Sequence, residues 1–306
     1  MTLDELFVLY RAKQLRFKSE NTVRLYGHTL RAFAKTLGRT PLVSDLNCDS
    51  VEIHMDRIIR GGGAVPSANK DRSQLLALWR FAAAKGILSQ WPTVAIMPEP
   101  EIIPMGWLPD EMDRLLSSCD AMRGVVGTVP AGLWWRGLIS VLVDTGERIG
   151  AIRGLRKENV QEKWLLVPAA LRKGKTRDRL YSLQASTVVT LKSIAAANRI
   201  DDMLFHWDRC ETYIYRRYKE VLVGAGLPTD SRSKFHRIRR TVASAVTAAG
   251  GDATAALDHA SPKTTKKYLD PRIVGAVSVS DILASYLANP RQSKPVPVVN
   301  STLKTG

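Results

Sequence analysis

Four stretches in the second half of the 306-residue chain carry polar side chains that a core does not ask for. In "DTGERIGAIRGL" (144–155), Arg148 follows a glycine turn and opens a helix. "RKGKTR" (172–177) places Lys173 and Lys175 either side of Gly174. "FHRIRRTVASAVTAAG" (235–250) holds His236 and Arg239, three apart and therefore on one side of a helix. "LDHASPKTTKKY" (257–268) sets His259 nine residues ahead of Tyr268. There Ser261 suits an N-cap and Pro262 a first helical position, so a short helix lifts the tyrosine while His259 sits in the turn before it. These residue types share a chemistry. Guanidiniums present planar, permanently charged forks of donors that match phosphate oxygens. A tyrosine hydroxyl is a usable nucleophile, and imidazole or amine can move protons. Taken singly, each also has an ordinary explanation: Arg148 as an ion-pair partner, His236 as a structural histidine, Tyr268 as a half-buried aromatic, Lys173 as a solvated turn residue.

Charge supplies the partner class. The chain carries 45 Lys+Arg against 29 Asp+Glu, a formal charge of +16, with an isoelectric point near 10.0. Such an excess implies a polyanion, nucleic acid first. Hydrophobic content of 45% and charged content of 24% are those of a folded soluble chain long enough for two cores. No long apolar run, signal peptide or lipidation site is evident, which disfavours a membrane. Cys48, Cys119 and Cys210 stand far apart and form no CxxC pair, which argues against a disulfide framework or zinc site and fits a reducing cytoplasm.

The elements that must position these residues fall into two parts. Residues 1–90 read as helices: 3–16; 19–38, from the cap Ser19 to the stop Gly38; 48–60, ending in three glycines; and 67–86, after Pro66 and closing on Gly86. Their Lys and Arg residues form a candidate phosphate-tracking surface, while Tyr10, Tyr26 and Trp79 read as core. "WPTVAIMPEPEIIPMGWLP" (91–109), with prolines at 92, 98, 100, 104 and 109, reads as an extended linker and the domain boundary. The rest, 110–288, is mixed. Helices are expected at 109–119, 134–146, 185–197, 209–225 and 236–249, with a β-hairpin over 163–183 around Gly174. In the 236–249 helix, Ile238, Val242, Ala245, Val246 and Ala249 define the face expected to be buried. Residues 274–288 read as one more amphipathic helix, and 289–306 as a disordered tail. The fold class is mainly α with a small β-hairpin.

The ordered set TG-x-R, hairpin lysine, H-x-x-R, and L-x-H followed nine residues later by Tyr resembles the tyrosine recombinase (phage integrase) family. "SENTVRLY" and "SANKDRSQLLALWRFAAAKG" resemble that family's helical core-binding domain, so the likeness runs from about residue 3 to 285. The resemblance implies a site-specific DNA recombinase that closes as a C-shaped clamp on double-stranded DNA. It also implies a homo-tetramer acting on two DNA sites through a Holliday junction, in a prokaryotic cytoplasm at the nucleoid, with no cofactor, metal or ATP. Arg148 and Arg239 would clamp the scissile phosphate and His259 would add a third hydrogen bond. Tyr268 would attack to give a 3′-phosphotyrosine, His236 would assist proton transfer, and the hairpin lysine would protonate the leaving 5′-oxygen. The tail helix would dock on a neighbouring protomer.

The chain departs from the family pattern in places. Ala151 stands where an acidic residue is usual, three positions after the first arginine, leaving Glu147 and Asp144 as candidate substitutes. Asp258 replaces the usual glycine before the second histidine, tolerable because aspartate can adopt a left-handed turn. The hairpin lysine is Lys173 or Lys175, with Lys173 preferred. Tyr213, Tyr215 and Tyr218 lie on a basic helix without a preceding histidine and read as packing or phosphate-contact residues. The first helix begins almost at Met1, so no arm-binding domain is expected ahead of it. The alternative function is a catalytically impaired DNA-binding regulator of the same fold.

Overall fold

The computed structural model describes residues 1–172, 174, 177–275 and 280. It is mainly helical, with two small antiparallel sheets, in the α+β class expected. The chain divides into two compact units, one ending at Ile102 and the other beginning at Ile103.

The first unit is built from α1 (Leu3–Gln14), α2 (Glu20–Leu37), α3 (Cys48–Arg60) and α4 (Val65–Ala84). Ser19 caps α2 by accepting from the Thr22 amide, and Gly38 stops it at φ 70°. Helix α4 begins at Val65, ahead of Pro66, because proline fits the first turn of a helix, where its missing N–H has no partner to lose. Tyr10, Tyr26 and Trp79 are all buried in one core with Leu6, Phe33 and Leu75.

Residues 91–108 contain no helix or strand. Val94 is buried in the first unit's core, and Met97 exchanges backbone hydrogen bonds with the Asn69 side chain. Past the unit boundary, Trp107 is buried in the second core.

The second unit contains α5 (Pro109–Asp120), a small hairpin of β1 (Val125–Val126) and β2 (Val129–Pro130), α6 (Ala131–Thr145) and α7 (Ile149–Arg153). It continues with β3 (Trp164–Val167), β4 (Arg179–Ser182), α8 (Ala185–Ala197), α9 (Glu211–Gly224), α10 (His236–Ala248), α11 (Ala253–Ala256), α12 (Pro262–Lys266) and α13 (Pro271–Val274). Helix α6 is apolar almost all round and buries Trp134, Trp135, Leu138, Ile139 and Leu142, as a central helix must. Strands β3 and β4 pair with Trp164 opposite Ser182 and Val167 opposite Arg179. They are shorter than the apolar run "KWLLVPAAL" suggests, because Pro168 has no N–H for the ladder and Ala169–Leu171 turns into a 3-10 helix.

Among the described residues no helix is long and apolar enough to cross a membrane. The expected tail helix and tail fall outside the described residues from 276 on, apart from residue 280.

Candidate active site

The end of α6 builds the first part of the site. Gly146 adopts φ 62° and ends the helix in a left-handed turn. A Cβ there would lie 2.6 Å from Leu257 Cδ2 and 3.0 Å from Val242 Cγ1, so glycine is required for both conformation and space. The chain then reverses. Glu147 turns inward and is buried, while Arg148, the N-cap of α7, remains partly exposed at the mouth.

Helix α10 provides the second part. His236 is its first residue and lies at the surface; Arg239, one turn on, is buried. The Arg239 guanidinium donates to the Leu257 carbonyl at 2.6 Å and to the Gly146 carbonyl, tying two turns together. Its buried Nε–H has no partner. The buried face of α10 differs from the one expected. Ala245 and Ala249 are exposed, and the interior takes Arg237, Ile238, Arg239, Ala243 and Ser244. Hydrogen bonding explains the shift: Arg237 Nε donates to the Gly106 carbonyl at 3.1 Å with its guanidinium 3.5 Å from the Trp107 ring centre, and the Ser244 hydroxyl accepts from the Asp270 amide at 2.8 Å. Polar side chains that are satisfied inside displace small apolar ones to the surface.

The third part is the segment 253–270. Asp258 does adopt the left-handed conformation, at φ 53°. His259 follows, its Nδ1 2.9 Å from the Thr265 hydroxyl and its buried Nε2 without a partner. Ser261 is the N-cap of α12 by position, but its hydroxyl pairs with the Thr264 hydroxyl instead of a backbone amide. Tyr268 leaves α12 in a turn, and its ring packs on the small cluster of Ala243, Ala253 and Leu257.

These parts converge. Tyr268 Oη lies 2.8 Å from His236 Nε2. The His259 and Tyr268 ring centres are 4.6 Å apart, and the Arg239 guanidinium carbon is 6.0 Å from the Tyr268 ring centre. A pocket of about 400 Å³ is lined by Arg148, His236 and Arg239 together with Tyr215, Arg232 and Arg240. It is cationic, and His236 on its wall and His259 nearby respond. Although part of the residue is open to solvent, the protein crowded round the His236 ring, then the charges of Arg240, Arg239 and Arg148, push its pKa down to about 4. Burial with Arg239 and Arg148 does the same to His259. Burial and the neighbouring Arg148 lower Arg239 as well. Both imidazoles are therefore neutral at pH 7, and the charge on the pocket wall is mainly that of guanidinium groups.

The structure thus gathers His236, Arg239, His259 and Tyr268 by direct geometry, and Arg148 lines one pocket with His236 and Arg239. Lys173 and Lys175 lie outside the described residues. Ala151 is buried in the hydrophobic core. Of its two candidate substitutes, Asp144 accepts from the Gln184 amide at the start of α8, 3.0 Å away, whereas Glu147 is at the site. Tyr218 is core, stacked on Phe235 with ring centres 4.1 Å apart. Tyr215 lines the pocket, as do Arg232, Lys234 and Arg240, which sequence reasoning passed over. The doubled arginine of "HRIRRT" was the available signal for Arg240. Among the described residues, no group of three or more His, Cys, Asp or Glu side chains is placed to hold a metal ion.

Comparison with known proteins shows where this fold recurs. The chain is similar in fold to a lambda integrase dimer bound to a COC′ core site, with 20% identity, a TM-score of 0.68, and coverage of 89% of this chain and 78% of that one. It is also similar to a lambda integrase tetramer bound to a Holliday junction, at 18% identity and TM-score 0.67 over 89% and 78% of the two chains. The XerH site-specific recombinase bound to a palindromic difH substrate gives 17% identity and TM-score 0.66 over 88% and 80%. No curated protein sequence matches the chain. Residues 107–273, more than half of the chain, match the family model of the phage integrase family. That span contains every residue of the convergent site just described, and the chain belongs to the phage integrase family, the tyrosine recombinases.

Proposed function

We propose that the protein is a site-specific DNA recombinase that cleaves and rejoins strands through a 3′-phosphotyrosine intermediate. The observation that carries this reading is the 2.8 Å contact between Tyr268 Oη and the neutral His236 imidazole, set beside Arg239 and His259. In the proposed step the Tyr268 oxygen attacks the scissile phosphorus while its proton passes to His236 Nε2. The P–O5′ bond breaks, and Lys173 delivers a proton to the departing oxygen. Arg239 has five N–H donors, of which two are engaged by carbonyls, leaving three, the buried Nε–H included, for non-bridging oxygens. Arg148 supplies the second guanidinium. With its proton on Nε2, His259 accepts from Thr265 at Nδ1 and offers Nε2–H to the phosphate. Each such donor is worth roughly 3–4 kcal/mol when aimed at transition-state charge. The phosphotyrosine conserves the bond energy, so rejoining needs neither ATP nor metal.

On the same reading, residues 1–90 form a helical core-binding domain and 110–288 the catalytic domain, linked by 91–109. Both contribute phosphate contacts to duplex DNA, and four protomers act on two sites through a Holliday junction in the cytoplasm. The test is a nicked suicide duplex carrying the target site. Wild type yields a covalent protein–DNA adduct, with or without a chelator, and Tyr268→Phe yields none while still binding. A wild-type protein that binds the duplex and never forms the adduct contradicts the enzyme reading and favours a DNA-binding regulator.

A further inference from the structure

Beside the phosphate-facing groups lies a buried ionic network that the proposed chemistry does not use. Arg172, 6% exposed, donates from Nε to Glu147 Oε1 at 2.6 Å and pairs through its NH2 group with Asp258 Oδ2 at 3.0 Å. Glu147 also accepts from the Tyr181 hydroxyl at 2.8 Å and the Arg148 amide at 3.2 Å. Burial pushes its carboxyl up, but the bonds from Tyr181 and Arg172 outweigh that and hold it below the usual range, so it is charged. Asp258 gathers Arg177 as well, and Arg179 stands 3.8 Å away while donating to the Ala255 and Ala256 carbonyls at 3.0 and 3.1 Å. Residues 177, 179 and 181 alternate along the second arm of the hairpin and therefore share one face, which is turned toward this network.

The sequence positions of the three central members are informative. Glu147 immediately precedes Arg148, and Asp258 immediately precedes His259; Arg172 is the chain neighbour of Lys173. A guanidinium buried between two carboxylates fixes planar geometry at both ends. Asp258 is also an expensive choice on backbone grounds, since φ 53° favours glycine. A turn that merely needed the left-handed conformation would not require a carboxylate.

We propose that Glu147, Arg172 and Asp258 are positioning residues that lock the β3–β4 hairpin to the turns presenting Arg148 and His259. This rests on the recombinase reading for its consequence, though not for its geometry. Asp258→Gly and Asp258→Asn both keep the left-handed turn and remove the charge. Each is expected to slow adduct formation on the suicide duplex by at least about tenfold, since a misplacement near 1 Å can cost up to about a hundredfold. Affinity for an uncleavable duplex is expected not to fall, because a negative charge has been removed. A merely structural role predicts melting changes with the cleavage rate of the folded fraction intact. Cleavage within about threefold of wild type in both variants overturns the proposal, being well short of that misplacement effect. Hydrogen exchange provides an arm independent of activity, at the Arg172 amide bonded to Ala169 and the His259 amide bonded to Thr254. Faster exchange at both in the variants supports the lock even if wild type forms no adduct, an outcome that would count against the recombinase reading alone; unchanged exchange overturns the lock.

Discussion

Arg239→Lys separates what a guanidinium does from what a positive charge does. Arg239 is 2% exposed and holds the carbonyls of Gly146 and Leu257 at once, 111 residues apart in the chain, by Leu257 at 2.6 Å on one nitrogen and Gly146 on the other. A lysine keeps the charge but has one nitrogen, which cannot sit at both positions of the fork. One charge-assisted hydrogen bond is lost and a buried carbonyl is left wanting, together worth about 2 kcal/mol. For a unit near 200 residues that lowers the melting temperature by roughly 4–8 °C. The larger effect is on chemistry. Removing one fixed donor from the transition state costs about 3–4 kcal/mol, or two to three orders of magnitude in rate. DNA affinity should be nearly unchanged, since the charge remains. The assay is thermal melting paired with single-turnover cleavage of the nicked duplex at saturating protein. A variant that melts like wild type and cleaves within about threefold of it would refute the bidentate role, because neither loss just estimated would have appeared.

Other outcomes follow from the same geometry. In the DNA-free protein both His236 and His259 should titrate near pH 4 by NMR, with no break at the ordinary histidine value; midpoints above 6 would contradict the burial and guanidinium repulsion described. Because the unfolded chain takes up these protons near pH 6.5 and the folded one only near 4, stability should fall as pH drops through that window, as denaturant melts at stepped pH would show. Gly146→Ala forces a Cβ to 2.6 Å from Leu257 Cδ2 at φ 62°. It should cost about 2–4 kcal/mol by chemical denaturation, combining left-handed strain with overpacking.

Much of this was legible in the sequence, and the parts that were not share a cause. Caps and stops such as Ser19, Gly38 and Gly146 act within a turn of chain, so local reading finds them. The ordered motifs pick out Arg148, His236, Arg239, His259 and Tyr268 ahead of the fold that brings them near one another. By contrast, the buried face of α10 depends on Arg237 and Ser244 meeting Gly106 and Asp270, partners 131 and 26 residues away, and no periodicity encodes such a meeting. For the same reason Ala245 and Ala249 looked buried and are not. The boundary between the units falls within the Pro-rich stretch, but Val94 and Met97 before the boundary pack on the first unit and Trp107 after it is buried in the second, contacts that no local pattern encodes. The ion pairs of Asp258 were hidden, although the alternation of Arg177, Arg179 and Tyr181 was in plain view.

The central claim is that a phenol oxygen, held by a neutral imidazole among fixed guanidiniums, becomes bonded to DNA. Its most direct measurement is mass spectrometry of the trapped adduct after proteolysis and nuclease trimming. The account predicts a phosphonucleotide on the peptide containing Tyr268, attached through the DNA 3′ end. Attachment at Tyr213, Tyr215 or any other residue, or through a 5′ phosphate, would contradict it.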